Sequence, residues 1–78
     1  MKVLAFGAAR DIIGESEINF VLSSDTTVKT FKEELYTMYP SLKKLNAIAI
    51  AVNEVYASDE IVIGKLDVIA LIPPVSGG

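Results

Sequence analysis

The sequence contains no cysteine and no histidine among its 78 residues. Without cysteine the chain can form neither a disulfide nor a thiolate metal cage. Without histidine it lacks the usual general base, and it cannot build the Ser-His or Cys-His pairs of nucleophilic enzymes. Its carboxylates show no metal-ligand spacing. We therefore expect no metal site, no bound cofactor and no catalysis by this chain alone.

Positive charge is also scarce, because seven Lys and Arg residues face ten Asp and Glu residues and the formal net charge is -3. Nucleic-acid binding requires clustered basic residues, so we do not expect it. No apolar run approaches the roughly 18 residues of a membrane span. Met1-Lys2 leads into an apolar stretch without the cleavage site of a signal peptide. These absences predict a cytoplasmic protein that binds neither membrane nor nucleic acid.

Apolar residues are plentiful, at 51% of the chain, and two apolar segments lie near its ends. Residues 2–6 suit a short buried strand, and 8–13 suit one or two helical turns stopped by Gly14. Residues 67–72 suit the last strand, and every position after Asp67 is apolar, the pattern of a central strand covered on both faces. We expect the first and last strands to pair in the middle of a sheet. One alternating set of the last strand must then face away from the helix, either Val68, Ala70 and Ile72 or Ile69 and Leu71.

The middle of the chain supplies the other elements. Residues 17–22 alternate between apolar and polar, which predicts a strand with Ile18, Phe20 and Leu22 toward the core. Capping residues in 23–27 introduce a helix that Pro40 ends. A strand over 47–52 places its large residues on one face and its alanines on the other, and Asn53-Glu54 forms a turn. The helix face toward the core comprises Val28, Phe31, Leu35 and Met38.

This order of elements predicts an α+β fold, the β-grasp or ubiquitin-like mixed sheet with one main helix. We expect the β-grasp domain to span 1–72 and an extended tail to span 73–78. Two prolines stiffen the root of the tail. Gly77 and Gly78 can enter a channel too narrow for other residues, because glycine has no Cβ atom. A terminal Gly-Gly can also be frayed chain, so the tail gains meaning only from the domain that carries it.

The carboxyl carbon of Gly78 is the group that such a tail would present. A free carboxylate is a poor electrophile and must first be activated, most simply as an acyl-adenylate. Sulfide can then displace AMP and leave a thiocarboxylate. None of these steps needs a catalytic side chain on this protein, which agrees with the missing histidine and cysteine.

Four stretches resemble the molybdopterin synthase small subunits: residues 6–14 (FGAARDIIG), 27–40 (TVKTFKEELYTMYP), 52–56 (VNEVY) and 70–78 (ALIPPVSGG). The last stretch is the most specific, because Pro-Pro-Val-Ser-Gly-Gly is close to a signature of that family. The chain departs from the family before its last strand, where Lys65-Leu66-Asp67 stands in place of the common Gly-Asp. We expect a reshaped turn there.

The resemblance implies a sulfur carrier. Gly78 would be adenylated with ATP by a ubiquitin-activating-type enzyme and would receive sulfur from a donor protein. The tail would enter a large catalytic subunit, in an assembly of two small and two large subunits. There its sulfur would form the dithiolene of molybdopterin from cyclic pyranopterin monophosphate. Besides the reactive Gly77 and Gly78, we expect these residues to bind the partner: Phe6, Ile69, Leu71, Pro73, Pro74, Val75 and Ser76.

Three other functions stay open at this point. A related sulfur carrier serves thiamin thiazole synthesis, and a ubiquitin-like modifier forms isopeptide bonds to lysines. A regulatory interaction module with an inert tail is a third possibility. The Pro-Pro-Val-Ser lead-in favours the molybdopterin branch.

Overall fold

The computed structural model describes residues 1–45 and 47–74. Its helices are α1 (Gly7–Ile13), α2 (Val28–Met38) and a 3-10 helix (Pro40–Lys44). Its strands, in chain order, are β1 (Lys2–Ala5), β2 (Glu17–Asn19), β3 (Thr26–Thr27), β4 (Ala49–Val52), β5 (Val55–Tyr56), β6 (Val62–Ile63) and β7 (Val68–Ile72).

The main sheet has the strand order β2-β1-β7-β4-β5. The last strand, β7, lies parallel to β1 on one side and antiparallel to β4 on the other. The predicted pairing of the first and last strands at the sheet centre is therefore confirmed. Helices cover one face of β7 and account for its buried residues Ile69 and Leu71, whereas its apolar residues Val68, Ala70 and Ile72 lie on the face that the helices leave uncovered.

Helix α2 packs its apolar side on this sheet. It begins after Thr27, whose Oγ1 accepts a hydrogen bond from the backbone N–H of Thr30 at 3.2 Å. Val28, Phe31 and Leu35 are buried as predicted. The ring of Phe31 meets that of Phe20 edge to face, with centroids 5.0 Å apart. These contacts place the core on one face of the sheet.

Met38 was predicted to belong to the buried helix face, and that prediction is wrong because its side chain is 55% exposed. It is the last residue of α2. The chain then turns through the 3-10 helix, and Leu42 is fully buried while Tyr39 packs against the core. The residues that follow the helix, and not Met38, therefore supply the core contacts at this end.

The second strand is shorter than predicted, since β2 ends at Asn19. The alternation is nevertheless correct, because Phe20 is buried and Ile18 and Leu22 pack against the core. The sequence did not predict a separate small sheet of β3 and β6. This sheet pairs the two residues just before α2 with a strand that follows β5. As predicted, α1 ends at Gly14, where φ is 90°.

Within residues 1–45 and 47–74, no helix has the length and hydrophobicity needed to cross a bilayer.

Candidate functional site

The face of the sheet opposite the helices is the candidate site, and the strand register defines which residues lie on it. Val3 lies opposite Ile69, and Ala5 lies opposite Leu71. These four side chains are buried in the core. Because successive residues of a strand point to opposite faces, their neighbours in sequence must point away from the helices.

The structure corrects one part of the predicted partner surface. Ile69 and Leu71 were expected to bind the partner, but each is 0% exposed. Both contribute to the core cluster together with Phe31 and Leu35. A side chain enclosed in this way cannot contact another protein while the domain stays folded, so the outward set of β7 is Val68, Ala70 and Ile72.

The helix-free surface, which we call the open face, is continuous across the four strands β1, β7, β4 and β5. Leu4 and Ala51 lie opposite Ala70 from the two neighbouring strands. Ala49 lies opposite Ile72, and Tyr56 on the edge strand lies opposite Ala51. The members of the open face are Lys2, Leu4, Phe6, Ala49, Ala51, Tyr56, Val68, Ala70 and Ile72, of which Ala51 is only 5% exposed.

Phe6 was expected at the partner surface, and the structure leaves its side chain 50% exposed. Phe6 is the residue directly before α1, and its backbone is still extended, with φ -124° and ψ 154°. Its side chain therefore follows Leu4 on the open face. Tyr56 at the opposite edge is 71% exposed. Two exposed aromatic rings thus border the open face, and aromatic side chains are enriched in protein interfaces.

The middle of the open face is recessed relative to its borders, because its residues are alanines with short side chains. Ala49, Ala51 and Ala70 carry only a methyl group each, whereas Leu4 and Ile72 beside them are larger. Away from the tail, Leu4 and Val68 line a shallow depression with Asn53 and Glu54. A low apolar centre with aromatic residues at its borders is a surface that a protruding partner side chain can fill.

The open face runs directly into the root of the tail. Ile72 is the last residue of β7, and Pro73 and Pro74 follow it. Pro73 is half-buried and Pro74 is exposed. The ring of Pro73 lies beside Gly7, since a Cβ atom built on Gly7 would come within 3.3 Å of Pro73 Cγ. The predicted site residues Val75, Ser76, Gly77 and Gly78 lie outside the described residues.

A polar cluster fixes the opposite end of β7, where the sequence departs from its resemblance. The side-chain amide of Asn53 donates to Asp67 Oδ1 at 2.9 Å, and its oxygen accepts from the N–H of Val68 at 2.9 Å. Asp67 Oδ2 accepts from the N–H of Gly64 at 2.8 Å. The Gly64 N–H, and after it the Asn53 amide, hold the pKa of Asp67 below its ordinary value. The turn before β7 is therefore closed by side-chain hydrogen bonds.

The assignment of Phe6, Pro73 and Pro74 to a partner surface stays a prediction, and the sequence did not identify most of the open face. The predicted separation of large residues and alanines on opposite faces of β4 is correct, because Ile50 and Val52 pack in the core and the alanines do not belong to the core cluster. Their pairing with Ala70 would have fixed the phase of β7, but a sequence alone does not give the register. Gly7 was also missed, although a glycine directly after an aromatic strand end is a signal for an unusual backbone.

Fold and site together define a small ubiquitin-like β-grasp protein with an apolar sheet face that leads into its C-terminal segment. Solved structures support this fold. The putative molybdopterin converting factor subunit 1 from Pyrococcus furiosus superposes with a TM-score of 0.83 at 28% identity, covering 95% of each chain. The small archaeal modifier protein 1 from Methanosarcina acetivorans gives a TM-score of 0.80 at 25% identity, covering 99% of this chain and 94% of that chain.

A third structure is a protein–protein complex of subunits 1 and 2 of the molybdopterin-converting factor from Helicobacter pylori 26695. The chain it aligns with has a TM-score of 0.67 and 28% identity, with 99% of this chain and 96% of that chain covered. In that complex a chain similar to this one is present together with a second, different subunit.

The chain belongs to the ThiS family, whose model matches residues 3–78. It is 34% identical to the molybdopterin synthase sulfur carrier subunit of Arabidopsis thaliana, over 100% of this chain and 82% of the relative. It is 37% identical to the subunit of the same name from Dictyostelium discoideum, over 99% of this chain and 94% of the relative. The family match runs through the predicted tail as well as the domain.

Proposed function

We propose that this chain is a sulfur carrier subunit of molybdopterin synthase and that it carries sulfur on the carboxyl group of Gly78. The observation that supports this most directly is the open face, which continues through Ile72 into the half-buried Pro73. A partner that binds this face meets the root of the tail at the same time. The Dictyostelium discoideum relative, which is similar in length, bears the name of such a subunit, which agrees with this geometry.

The proposed chemistry takes place on the main chain. The Gly78 carboxylate attacks the α-phosphate of ATP, which forms an acyl-adenylate and releases pyrophosphate. Hydrosulfide then attacks the acyl carbon and releases AMP, which leaves a thiocarboxylate and a proton; if a donor persulfide supplies the sulfur, a thiol must reduce it and is itself oxidised to a disulfide. The adenylating enzyme supplies ATP binding and catalysis, so the carrier itself needs no general base. The absence of histidine and cysteine from the chain is compatible with this division of labour.

The open face is where the large catalytic subunit would bind in this proposal. The face is apolar through its centre, and a partner that covers it gains binding free energy from the area removed from water. Such docking would hold the tail close to the partner's reaction centre, so the free energy of binding would position the sulfur. We propose the assembly of two small and two large subunits, working in the cytoplasm.

Intact mass spectrometry tests the proposal. The purified chain is incubated with a ubiquitin-activating-type adenylating enzyme, ATP and sulfide, and the mass change that replaces one oxygen by sulfur is expected. The product is then mixed with the large subunit and cyclic pyranopterin monophosphate, and molybdopterin should form. The same mixture without the large subunit should give no product. A chain that never gains sulfur, or one that converts the precursor unaided, would contradict the proposal.

A protein modifier is the second candidate, and the structural likeness to the Methanosarcina acetivorans modifier supports it. A modifier shares the activation step but transfers its acyl group to a lysine amine. The two functions differ in the fate of the activated chain. Conjugates that resist reducing agent and carry Gly78 on a lysine would favour the modifier, whereas release of the unmodified carboxylate after sulfur transfer would favour the carrier.

A further inference from the structure

The contact between Gly7 and Pro73 is a feature that the proposed function does not yet explain. Gly7 begins α1, and its φ is 52°, in the left-handed region that disfavours residues with a Cβ. The N–H groups of Ala9 and Arg10 donate to the carbonyl of Phe6 at 3.0 and 3.3 Å and fix this first turn. The backbone of Gly7 is therefore held in place where Pro73 passes.

The space beside Gly7 is filled by the ring of Pro73. A Cβ on Gly7 would lie 3.3 Å from Pro73 Cγ, which is closer than an ordinary van der Waals contact. The ring fixes φ of Pro73 but can change its pucker, which moves Cγ and relieves part of this contact; the rest is relieved by displacement of Pro73 as a whole, which carries the following backbone with it. Gly7 thus has two reasons to be glycine, its left-handed backbone and the proximity of Pro73.

We propose that Gly7 is a positioning residue that sets the direction in which the tail leaves the domain. The inference rests on the proposed function, because direction matters only if the tail must enter a partner. Pro73 and Pro74 are the last described residues of the chain, so a displacement of Pro73 changes the point and direction from which the rest of the tail starts. A misplacement of 1 Å at a reacting group can slow a reaction about a hundredfold.

Strain alone could also explain a defect in a Gly7 variant, and Gly14 offers a matched control. Its φ is 90°, so alanine there meets the same left-handed penalty, but no atom lies within 4 Å of the added Cβ. Gly14→Ala therefore reproduces the backbone strain at the other end of α1 without touching the tail. Pro73→Ala removes the Cγ atom from the opposite side of the contact and introduces no left-handed strain.

The experiment uses full-length chains that already carry the thiocarboxylate, which bypasses activation. Single-turnover sulfur transfer is measured with saturating large subunit, and the Kd for that subunit is measured separately. We expect Gly7→Ala to slow transfer at least about fivefold, with Kd within about twofold of the wild-type value. Gly14→Ala should transfer at the wild-type rate. Pro73→Ala should be slow, and Gly7→Ala should add no further loss in that background.

Equal rates for Gly7→Ala and Gly14→Ala, or independent effects of Gly7→Ala and Pro73→Ala that multiply, would overturn the positioning role. If Gly7→Ala does not fold, a wild-type rate for Pro73→Ala would overturn it as well. A wild-type chain that binds sulfur and transfers none would instead contradict the proposed function. The two failures are therefore distinguishable in one set of measurements.

Discussion

Ala70 lies at the centre of the open face, between Leu4 on β1 and Ala51 on β4. We expect Ala70→Arg to weaken binding to the large subunit at least about tenfold, which corresponds to about 1.4 kcal/mol. The reason is that a long charged side chain would hold the two surfaces apart and would lose water on docking. Isothermal titration calorimetry against the large subunit measures this change.

Glu33→Arg is the matched control for this substitution. Glu33 is exposed on α2, on the other side of the sheet from the open face. The same side chain introduced there should leave the Kd for the large subunit unchanged. If both arginine variants bind as tightly as the wild type while remaining folded, the interface does not include the centre of the open face.

Leu71, the neighbour of Ala70, should respond in the opposite way because it is fully buried. We expect Leu71→Ala to lower the free energy of unfolding by about 2 to 5 kcal/mol, since it leaves a cavity beneath α2. Urea denaturation followed by circular dichroism measures the loss. The folded fraction should still bind the large subunit with the wild-type Kd, and a large loss of affinity without loss of stability would contradict the assignment of Leu71 to the core.

The turn between β4 and β5 connects the sheet to the segment before β7. Asn53 adopts a φ of 50° there, and its side chain makes hydrogen bonds to Asp67 and Val68. Glycine tolerates the same backbone but lacks the side chain, so Asn53→Gly isolates the hydrogen bonds. We expect it to lower the free energy of unfolding by about 1 kcal/mol. Glu54→Gly, at a φ of 71° in the same turn, should cause no loss, and thermal melts compare the two.

The same cluster predicts a pH dependence. The N–H of Gly64 and the amide of Asn53 lower the pKa of Asp67 in the folded state from its ordinary value of 3.8. A carboxylate with a lowered folded pKa stabilises the fold above its unfolded pKa, and this contribution is lost as pH falls through the folded pKa. The melting temperature of the wild type should therefore fall more steeply below about pH 4 than that of Asp67→Asn. Parallel pH profiles would contradict this.

The elements themselves were largely predictable from sequence, because their periods are local. Spacing alone predicts the buried helix face, which comprises Val28, Phe31 and Leu35. It also predicts that the large residues and the alanines of β4 lie on opposite faces. The phase of β7 did not, because an apolar residue at every position gives no alternation to read. Ile69 and Leu71 became core residues through the register with Val3 and Ala5, which is a property of the pairing.

The role of Gly7 could not be predicted from the sequence for a related reason. Its meaning depends on Pro73, which is distant in sequence and reaches it only because β7 lies parallel to β1. The exposure of Met38 likewise follows from the turn through Leu42. Local patterns thus predict helices and strands well, whereas contacts between residues distant in sequence determine which side chains are exposed and which are buried.

At the scale of the whole molecule, the tail and the domain should be separable. The described core ends at Leu71 in sequence, so deletion of 75–78 removes no core residue. We expect this truncation, and also deletion of Gly78 alone or addition of a residue after it, to abolish thiocarboxylate formation while the melting temperature stays within about 2 °C. Intact mass and thermal melts measure the two effects. A C-terminally extended chain that supports molybdopterin formation without being processed would contradict the role of Gly78.

The strand order has a consequence for how the protein is made. β7 is inserted between β1 and β4, so neither strand has its central neighbour until the ribosome has released residues 68–72. Pairing strands so distant in sequence makes folding slow compared with a helical domain of the same size. The segment that would be activated is attached to the strand that completes the sheet. A nascent or partly unfolded copy therefore offers neither a finished docking surface nor an aligned tail, and an activating enzyme that recognises both will act only on mature copies.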